Sequence, residues 1–204
     1  MPLRKTVCVE KYSQIKEKEI YTFAASLKKR GIMNQQQFWD IIQDSLRAGN
    51  AEDQLEFLSD KLENFSKEEL LDFDFIFRQL HEECYNWDIW AAAYTIQGGC
   101  SDDGFIDFRS WLVAQGKEVF EQALKNSDSL VELGREKLEE SEEAEDFYYL
   151  AADAYEELTG KAIESDPAFK EIVYKEVPDG KDWDEENLDE LRARNPEVFR
   201  MFWK

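Results

Sequence analysis

From Met33 onward, apolar residues recur at helical spacing almost without interruption. Phe38, Ile41, Ile42 and Leu46 form a first stripe, ended by Gly49-Asn50, and Leu55, Leu58 and Leu62 form a second. Ser66 with Glu69 has the spacing of a capping box, in which each side chain satisfies the other residue's free backbone N–H. It opens the strongest segment of the chain. There Phe73, Phe77, Leu80, Cys84, Trp87, Ala91 and Tyr94 alternate in steps of four and three, which keeps them on one seam of a helix. Leu71, Ile76 and Trp90 widen that seam into a face packed on several neighbours. The pattern predicts a long central helix over about 67–96, with Asn86 as its weak point and Gly98-Gly99 as its end.

Ser101 or Asp102 caps the next predicted helix, which carries Phe105, Phe108, Trp111 and Leu112 before Gln115-Gly116. Val119, Phe120 and Leu124 mark another, and Leu130 and Leu133 a short one. The acidic stretch Glu139 to Asp146 leads into Phe147, Leu150, Ala151, Ala154, Tyr155 and Leu158, closed by Gly160. Pro178-Asp179-Gly180 reads as a turn. Asn195-Pro196 reads as an N-cap followed by proline at the first helical position, with Val198, Phe199, Phe202 and Trp203 docking the chain's end. The expectation is an all-α, single-domain bundle of roughly seven to nine helices around the 67–96 helix.

Composition narrows the function classes. Nine glycines and four prolines in 204 residues are few for a turn-rich β-sandwich or a glycine-cradled nucleotide fold. A single histidine removes most metal-hydrolase and His-triad sites. Cys8, Cys84 and Cys100 have no Cys-x-x-Cys spacing, so neither a disulfide framework nor a zinc site is readable. The net charge of −21 argues against direct nucleic-acid binding by phosphate neutralisation. No apolar run has the roughly 18 residues of a membrane span, and the charged N-terminus is no signal peptide. A cytoplasmic protein is the expectation, with no membrane association and no cofactor.

The charge is unevenly placed. Residues 1–32 are net +5, and residues 33–204 are net −26. That switch predicts a basic N-terminal extension (1–32) before an acidic all-α domain (33–204). Lys28-Lys29-Arg30-Gly31-Ile32 back-translates to a purine-rich run just upstream of Met33, as a bacterial ribosome-binding site would be. The extension is therefore read as a mis-called start, beside the alternative of an amphipathic helix with Tyr12, Ile15, Phe23 and Leu27 on one face.

The run WDIWAAAYTIQGGCSDDGFIDFRSWLVAQG, residues 87–116, concentrates three of the six tryptophans, the glycine pair, Cys100 and several aspartates. It resembles the signature of an uncharacterised bacterial family, the domain of unknown function 4240 family. A looser likeness extends from Met33-Asn34-Gln35-Gln36-Gln37-Phe38-Trp39 to Asn195-Pro196-Glu197-Val198-Phe199. The resemblance implies a compact helical domain and brings no activity or catalytic residues with it.

The same run holds the candidate chemistry. Asp102-Asp103-Gly104 fails as a calcium loop, because Gly99 and Ser110 stand at its first and last ligand positions, and no metal site is assigned. Carboxylates at a helix start more often complement its positive end. Cys100 and Ser101 lack a base in sequence reach, since His81 is placed at the edge of the helical stripe. Arg78 stands where a Glu-x-x-His pair with His81 would need a carboxylate, which excludes the usual di-iron arrangement. Trp87, Trp90 and Trp111 line a candidate ligand pocket with Asp88, Asp102, Asp103, Arg109 and Gln115 as polar contacts. Aromatics at helical spacing are more often core than cage. A buried Arg109 requires a carboxylate, and Asp88, Asp102 or Asp103 is the expected partner. With no catalytic residue assigned, the leading functional expectation is a non-catalytic, protein-binding or regulatory module for a basic protein partner. A small-molecule or enzymatic pocket near 87–115 is the alternative.

Overall fold

The computed structural model describes residues 33–203, apart from the side chains of Glu143 and Glu145. The basic segment 1–32, with its expected helix or mis-called start, lies outside the described residues.

Ten α-helices form among the described residues, with no named strand: α1 Gln35–Ser45, α2 Ala51–Leu62, α3 Lys67–Glu83, α4 Trp87–Gln97, α5 Asp102–Ala114, α6 Lys117–Lys125, α7 Arg135–Glu139, α8 Leu150–Thr159, α9 Leu188–Arg194 and α10 Pro196–Phe202. The class is all-α. Short 3₁₀ turns join several of them.

Local chemistry sets most boundaries. The Ser66–Glu69 capping box opens α3, and Asn34 with Gln37 makes the same device at α1. Ser101 caps α5 through Gly104 N–H. Gly98 ends α4 at φ +69°, a conformation that costs residues with a Cβ more than it costs glycine.

The expected 67–96 helix is two helices, not one. Asn86 is extended, at φ −145°, and its side chain accepts from the N–H groups of Asp88 and Ile89. An N-cap of that quality ends α3 and starts α4 in a new direction. The seam divides accordingly. Phe73, Phe77, Leu80 and Cys84 enter the main core, whereas Ala91 belongs to a smaller cluster with Leu191 and Phe199, flanked by Tyr94, Trp183 and Trp203. Ile89, Ala92, Ala93 and Ile96, on the other side of α4, face the main core. A helix apolar all round is thus buried on two faces. This break and the short helices α7 and α9 carry the count above the expected range.

The main core joins α1, α2, α3, α5, α6 and α8 around Phe38, Leu62, Phe73, Phe108, Trp111 and Phe120. Each such side chain contributes roughly 1.5–3 kcal/mol on burial. Leu158, expected on the buried stripe of α8, is 52% exposed because Gly160 ends the helix at the surface. The Asn195 side chain does not cap α10: it accepts from Ser127 Oγ at 2.6 Å and donates to the Asp88 carbonyl at 3.4 Å. Asp128 takes over that function from a distant turn, accepting from Glu197 N–H and Val198 N–H at 2.9 Å each.

Candidate binding face

Three of the eight candidate residues come together. Trp87 stacks on Trp90 (5.3 Å, 9°), Trp90 stacks on Phe105 (4.6 Å, 14°), and the Arg109 guanidinium lies over the rings of Phe105 and Tyr85. The Trp90 indole N–H donates to the Cys100 carbonyl at 3.0 Å, locking the turn between α4 and α5 onto the column. Rings at these separations fill the space between them. Trp87 is half-buried, while Trp111 is wholly buried in the core, where Gln115 donates back to its carbonyl. Asp102 and Asp103 are exposed in the first turn of α5. Asp88 turns away from the column, pairs with Arg194 and lines a cavity of about 240 Å³ with Lys125 and Ser127.

Arg109 is buried, as a guanidinium needing a carboxylate should be, but the partner is Glu82 at 3.9 Å rather than Asp88, Asp102 or Asp103. Its Nη1 donates to the His81 carbonyl (3.1 Å) and its Nε to the Phe105 carbonyl (3.3 Å). The side chain points from α5 across to the C-terminal end of α3. It therefore links the column to a second constellation on α3 that periodicity did not reveal.

That constellation is a row of charged residues in the interior. Asp74 and Arg78 sit one turn apart, and Arg78 Nε and Nη2 both donate to one Asp74 oxygen, at 2.8 and 2.6 Å. Burial raises the Asp74 carboxyl pKa against the pull of Arg78. His81 follows, stacked on Phe77 and edge-on to Tyr148, with its Nε2–H donating to the Ile106 carbonyl at 3.0 Å. The edge position expected for it is a buried one, since α5 and Tyr148 close over this end of α3. Burial and, secondarily, the Arg109 charge push its pKa down to about 3. The thiols of Cys84 and Cys100 are both pushed up to about 12, first by burial. The Tyr148 hydroxyl is pushed up to about 12 in the same way. Near neutrality the imidazole is therefore uncharged, while the thiols and the Tyr148 hydroxyl keep their protons. None is poised as a nucleophile or general base.

Among the described residues, no group of three His, Cys, Asp or Glu side chains is placed to hold a metal ion. No helix there is long and apolar enough to cross a membrane. An open depression of about 540 Å³ passes the C-terminal end of α4 between Gly98, Arg135, Glu139, Phe202 and Trp203. None of the eight candidate residues lines it.

The solvent side of α3 is covered by a strap, residues 166–179, which forms no helix and makes one isolated parallel bridge, Asp179 to Asn86. Lys67 holds Asp166 (2.8 Å), Asp72 holds Lys170 (2.7 Å), and Glu82 accepts from the backbone N–H of Lys175 (2.6 Å). The strap had one legible signal, the turn residues Pro178-Asp179-Gly180. Its partners on α3 had none, because charges at helical spacing look like an ordinary solvated face.

No curated protein and no solved structure matches the chain. Asp72, Asp74, Arg78, His81, Glu82, Arg109 and Tyr148 all fall within residues 33–157, a span of more than half the chain that matches the family described as protein of unknown function (DUF4240). The chain belongs to that family.

Proposed function

We propose that the protein is a non-catalytic binding module for a cationic protein partner. One observation carries the reading: the deeply buried carboxylates Asp72, Asp74 and Asp166 are each matched by a cation, Lys170, Arg78 and Lys67 respectively. The large acidic excess of residues 33–204 is therefore presented to solvent, where it attracts and steers a positively charged surface. The depressed histidine and elevated thiols support a role without acid–base or nucleophilic chemistry. In this reading the stacked column of Trp87, Trp90, Phe105 and Arg109 is a rigid frame.

The test neutralises exposed acids jointly: Glu142→Gln, Asp146→Asn, Glu185→Gln and Glu186→Gln. Proteins recovered with the chain from its host at about 50 mM salt should be cationic and should be lost both from the variant and at about 500 mM salt, where screening is strong. Melting temperature should move by less than about 2 °C, since exposed charges contribute little to stability. An unchanged set of associated proteins would leave the acidity as a solubility feature only.

A further inference from the structure

The strap touches α3 as a peptide ligand would. Its partners advance in step along the helix, with Lys67 taking Asp166, Asp72 taking Lys170, Glu82 taking Lys175, and Tyr85 and Trp87 exchanging backbone hydrogen bonds with Asp179. It therefore runs parallel to α3. Three subsites do the holding. At the first, the Lys170 ammonium meets Asp72. At the second, Arg78 donates to the Lys170 carbonyl at 2.9 Å while its guanidinium lies over the Phe169 ring at 4.5 Å. At the third, Glu82 receives the Lys175 backbone N–H, and the Lys175 ammonium reaches the Glu82 carbonyl at the end of α3 (2.9 Å). An ammonium at a helix C-terminus is attracted by the unpaired carbonyls and the negative end of the dipole.

We propose that this groove on α3 is where the cationic partner docks, by a non-helical segment carrying an aromatic–Lys pair and a second Lys about five residues on, and that residues 166–179 occupy it in cis. The inference rests on the function proposed above and names its site. The groove is made of side chains whose burial depends on a cover: Asp74 and Arg78 are each less than a tenth exposed, and Glu82 only slightly more. The cover itself is weakly built. It has no helix, Val173 and Val177 project into solvent at 91% and 67% exposure, and two of its polar ties end on half-exposed lysines, Lys67 and Lys170. Of its four carboxylates, Asp166 is held by Lys67 and Asp179 by Lys175, while Glu171 and Glu176 add exposed negative charge to a domain already strongly negative. A segment with the same lysines and fewer acids fits the groove better than the strap does. What keeps the strap in place is its tether, which gives an effective concentration of roughly millimolar. A partner must compete with that, so its apparent affinity falls by the fraction of chains in which the groove is open.

The test uses the full chain and a labelled peptide of residues 166–179 carrying Glu171→Lys and Glu176→Lys. Weakening the cis strap with Lys170→Ala and Lys175→Ala should tighten peptide binding at least ten-fold, read by fluorescence anisotropy. Adding Asp72→Asn and Glu82→Gln to that variant should remove the gain. With the unaltered chain, saturating peptide should speed hydrogen exchange at the Lys175 amide while α3 keeps its protection, a readout that needs no variant. Equal affinity for the two chains overturns the proposal, as does a gain that survives loss of Asp72 and Glu82, or exchange that exposes α3 together with the strap. A peptide that fails while a cationic partner still associates in a salt-dependent way removes the groove alone. A peptide that behaves as expected while no cationic protein is recovered supports the groove and removes the general reading.

Discussion

His81 and Arg109 show how one buried side chain constrains another. The imidazole donates through Nε2–H to Ile106, so a second proton would create a cation in a dry site that already holds the Arg109 guanidinium. Its folded pKa, about 3, lies below the ordinary value of 6.5, so the unfolded chain binds the extra proton first as pH falls. Stability from this group is full above about pH 6.5 and is lost progressively down to about pH 3, with a slope approaching 1.4 kcal/mol per pH unit. Urea unfolding at pH 7 and pH 5 should show the unaltered chain losing about 2 kcal/mol more than His81→Gln, which keeps a donor for Ile106 and does not titrate. Arg109→Ala should cost about 2–4 kcal/mol at pH 7, because Glu82 loses its counter-charge and two helix carbonyls lose a donor inside the protein. Arg109→Lys, which keeps the charge and loses the planar fork lying on Tyr85 and Phe105, should fall between the two in the same unfolding measurement.

Helices in this protein end where a short polar side chain outcompetes the next turn, and the cap need not be local. Asn86 divides an apolar run that propensity alone would carry through, and the division lets α4 bury one face against the core and the other against α9 and α10. Asp128 caps α10 from a turn far back in the chain and so fastens the C-terminal helices to the body. Asp128→Ala should cost about 1–2 kcal/mol, the value of an N-cap, while Asp128→Asn should retain most of that stability. Hydrogen exchange should report the loss first at Val198 and Phe199, before the amides of α3 and α5 respond.

At the scale of the whole molecule, charge works against compactness. A domain net −26 repels itself at low ionic strength, and moderate salt screens that repulsion over distances longer than its short ion pairs. Raising sodium chloride from about 10 to 150 mM should therefore lift the melting temperature by about 2–4 °C, equivalent to roughly 1 kcal/mol for a chain of this size. The sign is informative. A protein held mainly by its surface salt bridges would melt lower as salt rises.

Residues 33–203 owe their helices and most of the local caps to information within a few positions of each element. Helical hydrogen bonds join residues four apart, and the apolar face recurs at the same period, so Ser66–Glu69, Ser101, Gly98 and the buried aromatics were legible in the residue order. Arg109 was legible as a guanidinium needing a partner, but not as the partner of Glu82. Three nearby aspartates satisfied the same requirement on paper, and only the angle between α3 and α5 selects among them. The cap on α10 and the strap on α3 are further from reach, because each joins residues about 70 to 100 positions apart. Such pairings follow from how the helices pack, and packing depends on the summed shape of many side chains, which no local pattern encodes.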